Sequence, residues 1–380
     1  MKAVIAIDSF KGSLSTFQSG EAVSEAIKRV FPNSETEICP IADGGEGTVS
    51  AITYSTGGEL IKLSVTGPLG RAVTAEYGYI SETKTAVIEM SSAAGITLIC
   101  AEERNPLYTT TYGVGEIISD AISRGARRFI VGIGGSATND GGAGMLSALG
   151  YRFLTAKGTP IRSGALGLSE LRKIDCTSAL PELSECSFFV ACDVTNPLVG
   201  ENGCSAVYGF QKGADEPMIR DMDAWLLEYA RLTKEIIPTS DKNESGAGAA
   251  GGLGFALSAY LGAKLTSGID LVIGEVGLEE KIRDADVVVT GEGRLDGQSC
   301  MGKAPVGVAR IAKKYGKLTV AFSGAVTEDA PEVNCHGIDA FFPILRAPST
   351  LGEAMDITNA YNNLSAAAEQ VFRLIKSLKS

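Results

Sequence analysis

Five glycine-rich or charged turns follow apolar runs in this sequence: DSFKGS at 8–13, ADGGEGT at 42–48, GIGGSATNDGG at 132–142, CDVTNP at 192–197 and GEGRLDGQSCMGK at 291–303. Carboxylates, cations and glycines are the types a metal–nucleotide site uses. Carboxylates take a divalent cation, ammonium and guanidinium groups offset phosphate charge, and glycine lets backbone N–H groups approach an anion. In open α/β sheets the carboxyl ends of the strands face the ligand. Asp8, Asp43, Asp193, Glu292 and Asp296 are therefore expected to gather at strand ends, with Lys11, Arg294 and Lys303 among them. Any one of these turns alone reads as helix capping or chain reversal; five together point to chemistry.

Two of the turns imitate better-known motifs. Gly297, Gly302 and Lys303 match the G-x-x-x-x-G-K half of a P-loop, but Ala304 stands where a magnesium-binding Ser or Thr belongs. What survives is weaker: Gly302 and Lys303 at a helix start, ready for phosphate oxygens. Gly132, Gly134 and Ala137 resemble a dinucleotide-binding turn, yet no acid follows about twenty residues on to hold a ribose. The only histidine, His336, lies beside Cys335 in a polar stretch, which disfavours a histidine-based hydrolase and a histidine-rich metal cluster. Lys11, flanked by Ser9, Gly12 and Ser13, reads either as an anion cradle or as an ordinary exposed lysine. Arg71, after the turn Gly67-Pro68-Leu69-Gly70, reads as a fork for a substrate carboxylate or as a solvated arginine.

The elements that must position these residues are legible from periodicity. AVIAID is a continuous apolar run of the kind buried on both faces of a parallel sheet. Ser15 precedes a helix with Phe17, Ala22, Val23, Ala26, Ile27 and Val30 on one face, and TEICPI follows as a second strand. DVVVTGEG, LTVAFSG and DAFFPI read as three late strands, with PVGVARIAKKYG and SAAAEQVFRLIKSL as helices. Two early and three late strands suit a flavodoxin-like sheet of order 2-1-3-4-5. Between them ELIKLSVTGP, AVTAEYGYI and TAVIEMS form an antiparallel meander, followed by the helix VGEIISDAISRG and the strands RRFIVGIGG and SFFVACDV. The expected organisation is α/β: residues 1–58 plus 268–380 as one discontinuous domain, with 59–267 inserted as a second α/β domain.

The chain has 380 residues, enough for two cores, and its net charge of −11 argues against nucleic acid or an anionic membrane as partner. Eight cysteines without a CxxC pair read as free buried thiols. The N-terminal apolar run is too short for a signal-peptide core, which makes the cytoplasm the default expectation. The uncharged stretch Ser245–Ala263 is rich in Gly and Ala and reads as a buried helix, not a membrane span.

The segments DSFKGSLS, ADGGEGT, NPLYTTTYGVGE, GIGGSATNDGGAGML, CDVTNPLVGENG, GAGAAGGLG and TGEGRLDGQSCMGKAPVGVA together resemble the glycerate kinases of the bacterial type I family. Phe210 and Ser245 stand where that pattern would carry proline. The resemblance implies ATP- and Mg2+-dependent phosphorylation of D-glycerate on its 2- or 3-hydroxyl. It also implies a flavodoxin-like domain with an inserted domain built on a restriction-endonuclease-like core of mixed sheet. The needs of phosphoryl transfer then suggest roles. Asp193 and Asp296 are candidates for binding magnesium or accepting the hydroxyl proton, with Glu292 as a further metal ligand. Lys11, Lys212, Arg294 and Lys303 would neutralise phosphate, with Gly302 opening the helix. Gly134, Gly135, Ser136 and Gly142 would lend backbone N–H groups, and Arg71, Ser9, Asp43 and Arg294 would hold the substrate. The partner is a small molecule, and the protein a monomer or homodimer. Competing readings are a kinase of another small hydroxy acid and a nicotinamide-dependent oxidoreductase.

Overall fold

The computed structural model describes residues 1–379. In chain order the strands are β1 (Lys2–Ile7), β2 (Glu35–Ile38), β3 (Glu59–Thr66), β4 (Ala72–Ile80), β5 (Thr85–Glu89), β6 (Arg128–Gly132), β7 (Arg152–Leu154), β8 (Lys173–Asp175), β9 (Ser187–Ala191), β10 (Lys264–Thr266), β11 (Val287–Leu295), β12 (Leu318–Val326) and β13 (Ala340–Pro343). They form a five-stranded sheet of order β13-β12-β11-β1-β2, a six-stranded sheet of order β10-β9-β6-β5-β4-β3, and the separate pair β7-β8. Internal packing divides the chain into two units, one of Met1–Asp43, Ser50–Thr56 and the chain from Ile269 onward, the other of Gly44–Val49 and Gly57–Gly268.

In the first unit every strand pair is parallel. Read from β2, the order is the expected 2-1-3-4-5. The unbroken apolar runs follow from burial on both faces, since alternate side chains leave a strand in opposite directions. Ala3, Ile5, Ile7, Val289 and Phe322 pack with the helices Thr16–Val30 and Ile357–Lys379. Leu295 and Ala321 pack with Val306 and Ala309 of the helix Ala304–Lys314. The helix Thr16–Val30 starts where a capping box allows it: the Ser15 hydroxyl accepts from Gln18 N–H, and the Gln18 side chain accepts from Ser15 N–H at 2.9 Å.

In the second unit β3, β4 and β5 form the antiparallel meander. Strands β5, β6, β9 and β10 then run parallel, so the sheet is mixed. Its core joins Phe129, Val131, Phe188 and Val190 to Ile117, Tyr229 and Leu253 from the surrounding helices. The uncharged stretch forms the helix Ala249–Leu261, distorted at its start, where Ala250, Gly251 and Gly252 take left-handed φ of 52°, 67° and 91°. A Cβ on Gly251 would lie 2.0 Å from the Thr138 carbonyl oxygen, so close approach to the loop 138–142 requires glycine there. Among the described residues no helix is long and apolar enough to cross a membrane.

Two expectations change. Strand β11 continues to Leu295, placing Glu292 and Arg294 on the strand and not in a turn, because β12 keeps pairing as far as Leu295↔Val326. The cysteines are all free, but only Cys39 and Cys204 are buried, while Cys100, Cys176 and Cys335 are exposed. The exposed three lie outside the sheets, where no core claims the side chain.

Phe372 is fully buried in the first unit's core, where the last helix meets the sheet. Phe372→Ala is expected to lower unfolding free energy by about 3–5 kcal/mol. A urea titration should show this as a lower midpoint at unchanged slope.

Candidate active site

The register Ile7↔Gly291 brings the chain off β1 next to β11, and Asp8 N–H donates to the Gly291 carbonyl at 2.9 Å. Asp8 is 3% exposed and Glu292 9%. Asp43 joins them from the loop after β2, its Oδ2 3.5 Å from the Lys11 ammonium. Burial, followed by the charge of Asp43, pushes the Asp8 carboxyl up to about 8, against the opposing effects of Lys11 and Ser9 N–H. Burial also raises Glu292, offset by the Ser299 hydroxyl, which donates to it at 2.6 Å, and by Lys303. Burial lowers Lys11, but Asp43, Asp8 and Glu292 outweigh that and hold its ammonium above the usual range. The hydroxyls of Ser9 and Ser13, on either side of Lys11, are buried without a hydrogen-bond partner among the described residues. That loop thus holds an ammonium group between two unpartnered hydroxyls, donors of the kind an anionic oxygen accepts from.

The turn after β11 adds more charge. Asp296 lies 3.4 Å from Arg294 Nε and 3.7 Å from Lys303 Nζ, and its N–H donates to the Ser299 hydroxyl at 3.2 Å. Gly302 has φ of 100°, and Lys303 caps the helix Ala304–Lys314 with Pro305 in its first turn. Ser9, Lys11, Asp43, Glu292, Arg294, Asp296, Gly302 and Lys303 are therefore all brought to the carboxyl ends of β1 and β11.

The other expected residues lie in the second unit. Asp193, exposed beyond the end of β9, accepts a hydrogen bond from Gly268 N–H at 2.9 Å. Gly134 and Gly135 are exposed after β6, and Ser136 is buried. The loop is pinned by Ile96 N–H to the Gly135 carbonyl at 2.8 Å and by Ala137 N–H to the Ala94 carbonyl at 2.9 Å.

Lys212, Gly142 and Arg71 are engaged differently from the sequence expectation. Lys212 is 2% exposed, and its ammonium donates to the Thr138 carbonyl at 2.6 Å beneath the loop. Burial draws that ammonium down to about 8, opposed by Cys204 and Asp140. Gly142 N–H is directed at Asp140 at 3.1 Å. Both groups find partners in the interior, and so stabilise the loop from below. Arg71 is exposed, and its guanidinium lies 2.6 Å from Glu103, a carboxylate of the chain itself.

Sequence reasoning passed over Asp140 and Glu89. Asp140 accepts from Thr111 N–H at 2.8 Å, the Thr111 hydroxyl at 2.9 Å and the N–H groups of Gly142 and Gly144. It thereby joins the starts of two helices, Tyr112–Ser123 and Ala143–Ala148. Glu89 ends an apolar strand, the signal that singled out Asp8, and burial pushes its carboxyl up to about 7. Among the described residues no group of three or more His, Cys, Asp or Glu side chains converges as a metal cage. Mg2+ needs no such cage, since one or two carboxylates with substrate phosphates and water complete its shell. The acidic strand ends fit that demand.

A family model described as the glycerate kinase family matches residues 3–376. Glycerate 2-kinase of Escherichia coli K12 is 48% identical over 371 residues, covering 98% of this chain and 97% of that one. Glycerate kinase of Bacillus subtilis 168 is 44% identical over 380 residues, covering 100% and 99%. A crystal structure from Salmonella typhimurium LT2, of a protein named provisionally as glycerate kinase 2, superposes with a TM-score of 0.91 at 43% identity, covering 100% of this chain and 99% of that one. The class these matches define is an α/β phosphotransferase with an alcohol group as acceptor. More narrowly, the chain belongs to the glycerate kinase family. The nicotinamide-dependent alternative has no support in that membership.

The buried acid gives a pH-dependent stability. Asp8 keeps its proton to about 8 when folded, against 3.8 for an unperturbed carboxyl. Between those values the unfolded chain binds fewer protons, so this group's contribution falls as pH rises and is fully favourable only below the lower value. Asp8→Asn is expected to be more stable than the parent near pH 8, by on the order of 3–5 kcal/mol. The difference should shrink towards pH 5 in urea titrations, while turnover falls.

Proposed function

We propose that this protein transfers the γ-phosphoryl group of ATP to D-glycerate, with the 2-hydroxyl as acceptor. The observation that carries this reading is the strand-end set of the first unit, where Asp8, Asp43, Glu292 and Asp296 alternate with Lys11, Arg294 and Lys303. The 48% identity to a glycerate 2-kinase supports the choice of hydroxyl. The reading takes residues 1–58 with 268–380 as the domain bearing that set and 59–267 as the inserted domain. Eight free cysteines suit a reducing cytoplasm, where we place the protein.

In the reaction the glycerate oxygen gives up its proton and bonds to the γ-phosphorus as the bond to the bridging oxygen breaks and ADP leaves. The protein's part is positioning and charge compensation. Asp193 accepts the hydroxyl proton. Lys11, Arg294 and Lys303 offset the charge on the phosphoryl oxygens, with Gly302 opening the helix behind them. Ser9, Asp43 and Arg294 hold the glycerate, and Gly134, Gly135 and Ser136 offer backbone N–H groups to nucleotide phosphate. Glu292 and Asp296 would hold Mg2+, which supplies charge neutralisation at the phosphates when bound. Lys212 and Gly142 act by bracing the loop, and Arg71 receives no part while Glu103 holds it.

A coupled ADP-release assay with D-glycerate, ATP and Mg2+, followed by phosphorus NMR, tests the reading. Release with a single 2-phosphoglycerate signal is expected, and no release above an ATP-only blank overturns the substrate assignment. Asp193→Asn should cut kcat by about 10²–10⁴ with modest change in KM for glycerate. Full turnover in both Asp193→Asn and Asp296→Asn would remove these residues from the mechanism.

A further inference from the structure

We propose that Glu89 is a positioning residue, whose carboxylate clamps the Gly44–Val49 loop onto the ends of β5, β6 and β9. Glu89 is the last residue of β5 and pairs with Gly132 on β6. Its Oε1 accepts from Val49 N–H at 2.9 Å, and the N–H groups of Gly47 and Thr48 are also directed at the carboxylate. These donors belong to the first turn of the helix Thr48–Ser55 and the residue before it, where backbone N–H groups lack intrahelical partners and the helix dipole favours an anion. Glu89 thus sets a carboxyl acceptor, built into the chain, at that helix start.

The clamped loop is in tight contact with the strand ends. A Cβ on Gly132 would lie 2.4 Å from the Gly44 carbonyl oxygen, and one on Gly44 would lie 2.6 Å from Ala191 Cβ. A Cβ on Gly134 would lie 3.5 Å from Gly45 Cα. Gly44 and Gly45 therefore form the floor against which Gly132, Gly134 and Ala191, two residues before Asp193, are set. Releasing Glu89 frees that floor and with it the backbone that presents Gly134 and Asp193. A displacement of the order of an ångström in such groups is enough to cost about a hundredfold in rate.

The catalytic consequence rests on the kinase reading above, whereas the clamp itself is testable without activity. Hydrogen exchange should show the amides of Gly47, Thr48 and Val49 protected in the parent and faster by tenfold or more in Glu89→Ala. Per folded molecule, kcat of Glu89→Ala should fall by about ten- to a hundredfold. Glu89→Gln, which keeps an acceptor but loses the charge, should fall between the two, with kcat down about three- to fivefold. A role in stability alone would lower the melting temperature and leave kcat per folded enzyme at the parent value. Parental exchange rates or parental kcat in Glu89→Ala would overturn the proposal. If that variant does not fold, Glu89→Gln decides: faster exchange at the three amides with reduced kcat sustains the clamp, and parental values in both overturn it. An inactive parent with the exchange difference intact would count against the kinase reading and leave the clamp standing.

Discussion

The parallel pairing of β1 with β11 is the constraint on which the first unit depends. It joins residues far apart in the chain, Ala3 to Val287 and Ile7 to Gly291, and so closes a very long loop. Loop entropy grows only slowly with length, so the closure can be offset by the apolar surface that both strands bury. Once the register is set, Asp8 must leave the sheet beside Glu292, and neither acid can move without disturbing the pairing of β1 with β11. A shift by one residue would turn every side chain of β1 to the opposite face, so the core that fixes the register also fixes the acids.

The cost of this arrangement is electrostatic. Burial, with the nearby charge of Asp43 added to it, raises the affinity of Asp8 and Glu292 for protons. Lys11 offsets part of that penalty at Asp8 and Lys303 part of it at Glu292, but not all of it, so both carboxyls remain raised. Such strain is common where a site is made to meet a charged ligand, since groups arranged for the ligand are not arranged for the empty fold. Asp140 in the second unit is equally buried, and burial raises its carboxyl too, but there backbone and hydroxyl donors rather than ammonium groups oppose the shift, and it serves as an internal staple.

Much of this was legible beforehand. AVIAID, DVVVTGEG and LTVAFSG are apolar on both faces, which only a covered parallel sheet explains, and the alternating ELIKLSV and AVTAEYGYI marked the meander. The glycine-rich turns located the strand ends carrying Asp8, Asp43, Glu292 and Asp296. Less legible was which charged side chain looks outward. Lys212 and Lys11 both sit in glycine-containing turns, yet one is sealed under a loop and the other partly exposed beside a carboxylate. Arg71 and Glu103 are far apart in sequence, so no local signal announced that they pair. Glu89 was hidden for a related reason: its partners are backbone N–H groups forty residues earlier, and backbone donors leave no mark in residue identity.

The sequence by itself determined the elements, the parallel sheet with its mixed companion, and the family, because periodicity and local glycine, proline and capping signals are written in neighbouring residues. Tertiary structure alone decided the state of each charge. Burial, the nearest opposite charge and the direction of a backbone N–H are set by segments that meet only after folding. Asp8, Asp140 and Glu89 are one residue type or nearly so, each following or ending a structured run. Their surroundings make the first a proton-retaining acid, the second a staple and the third a clamp.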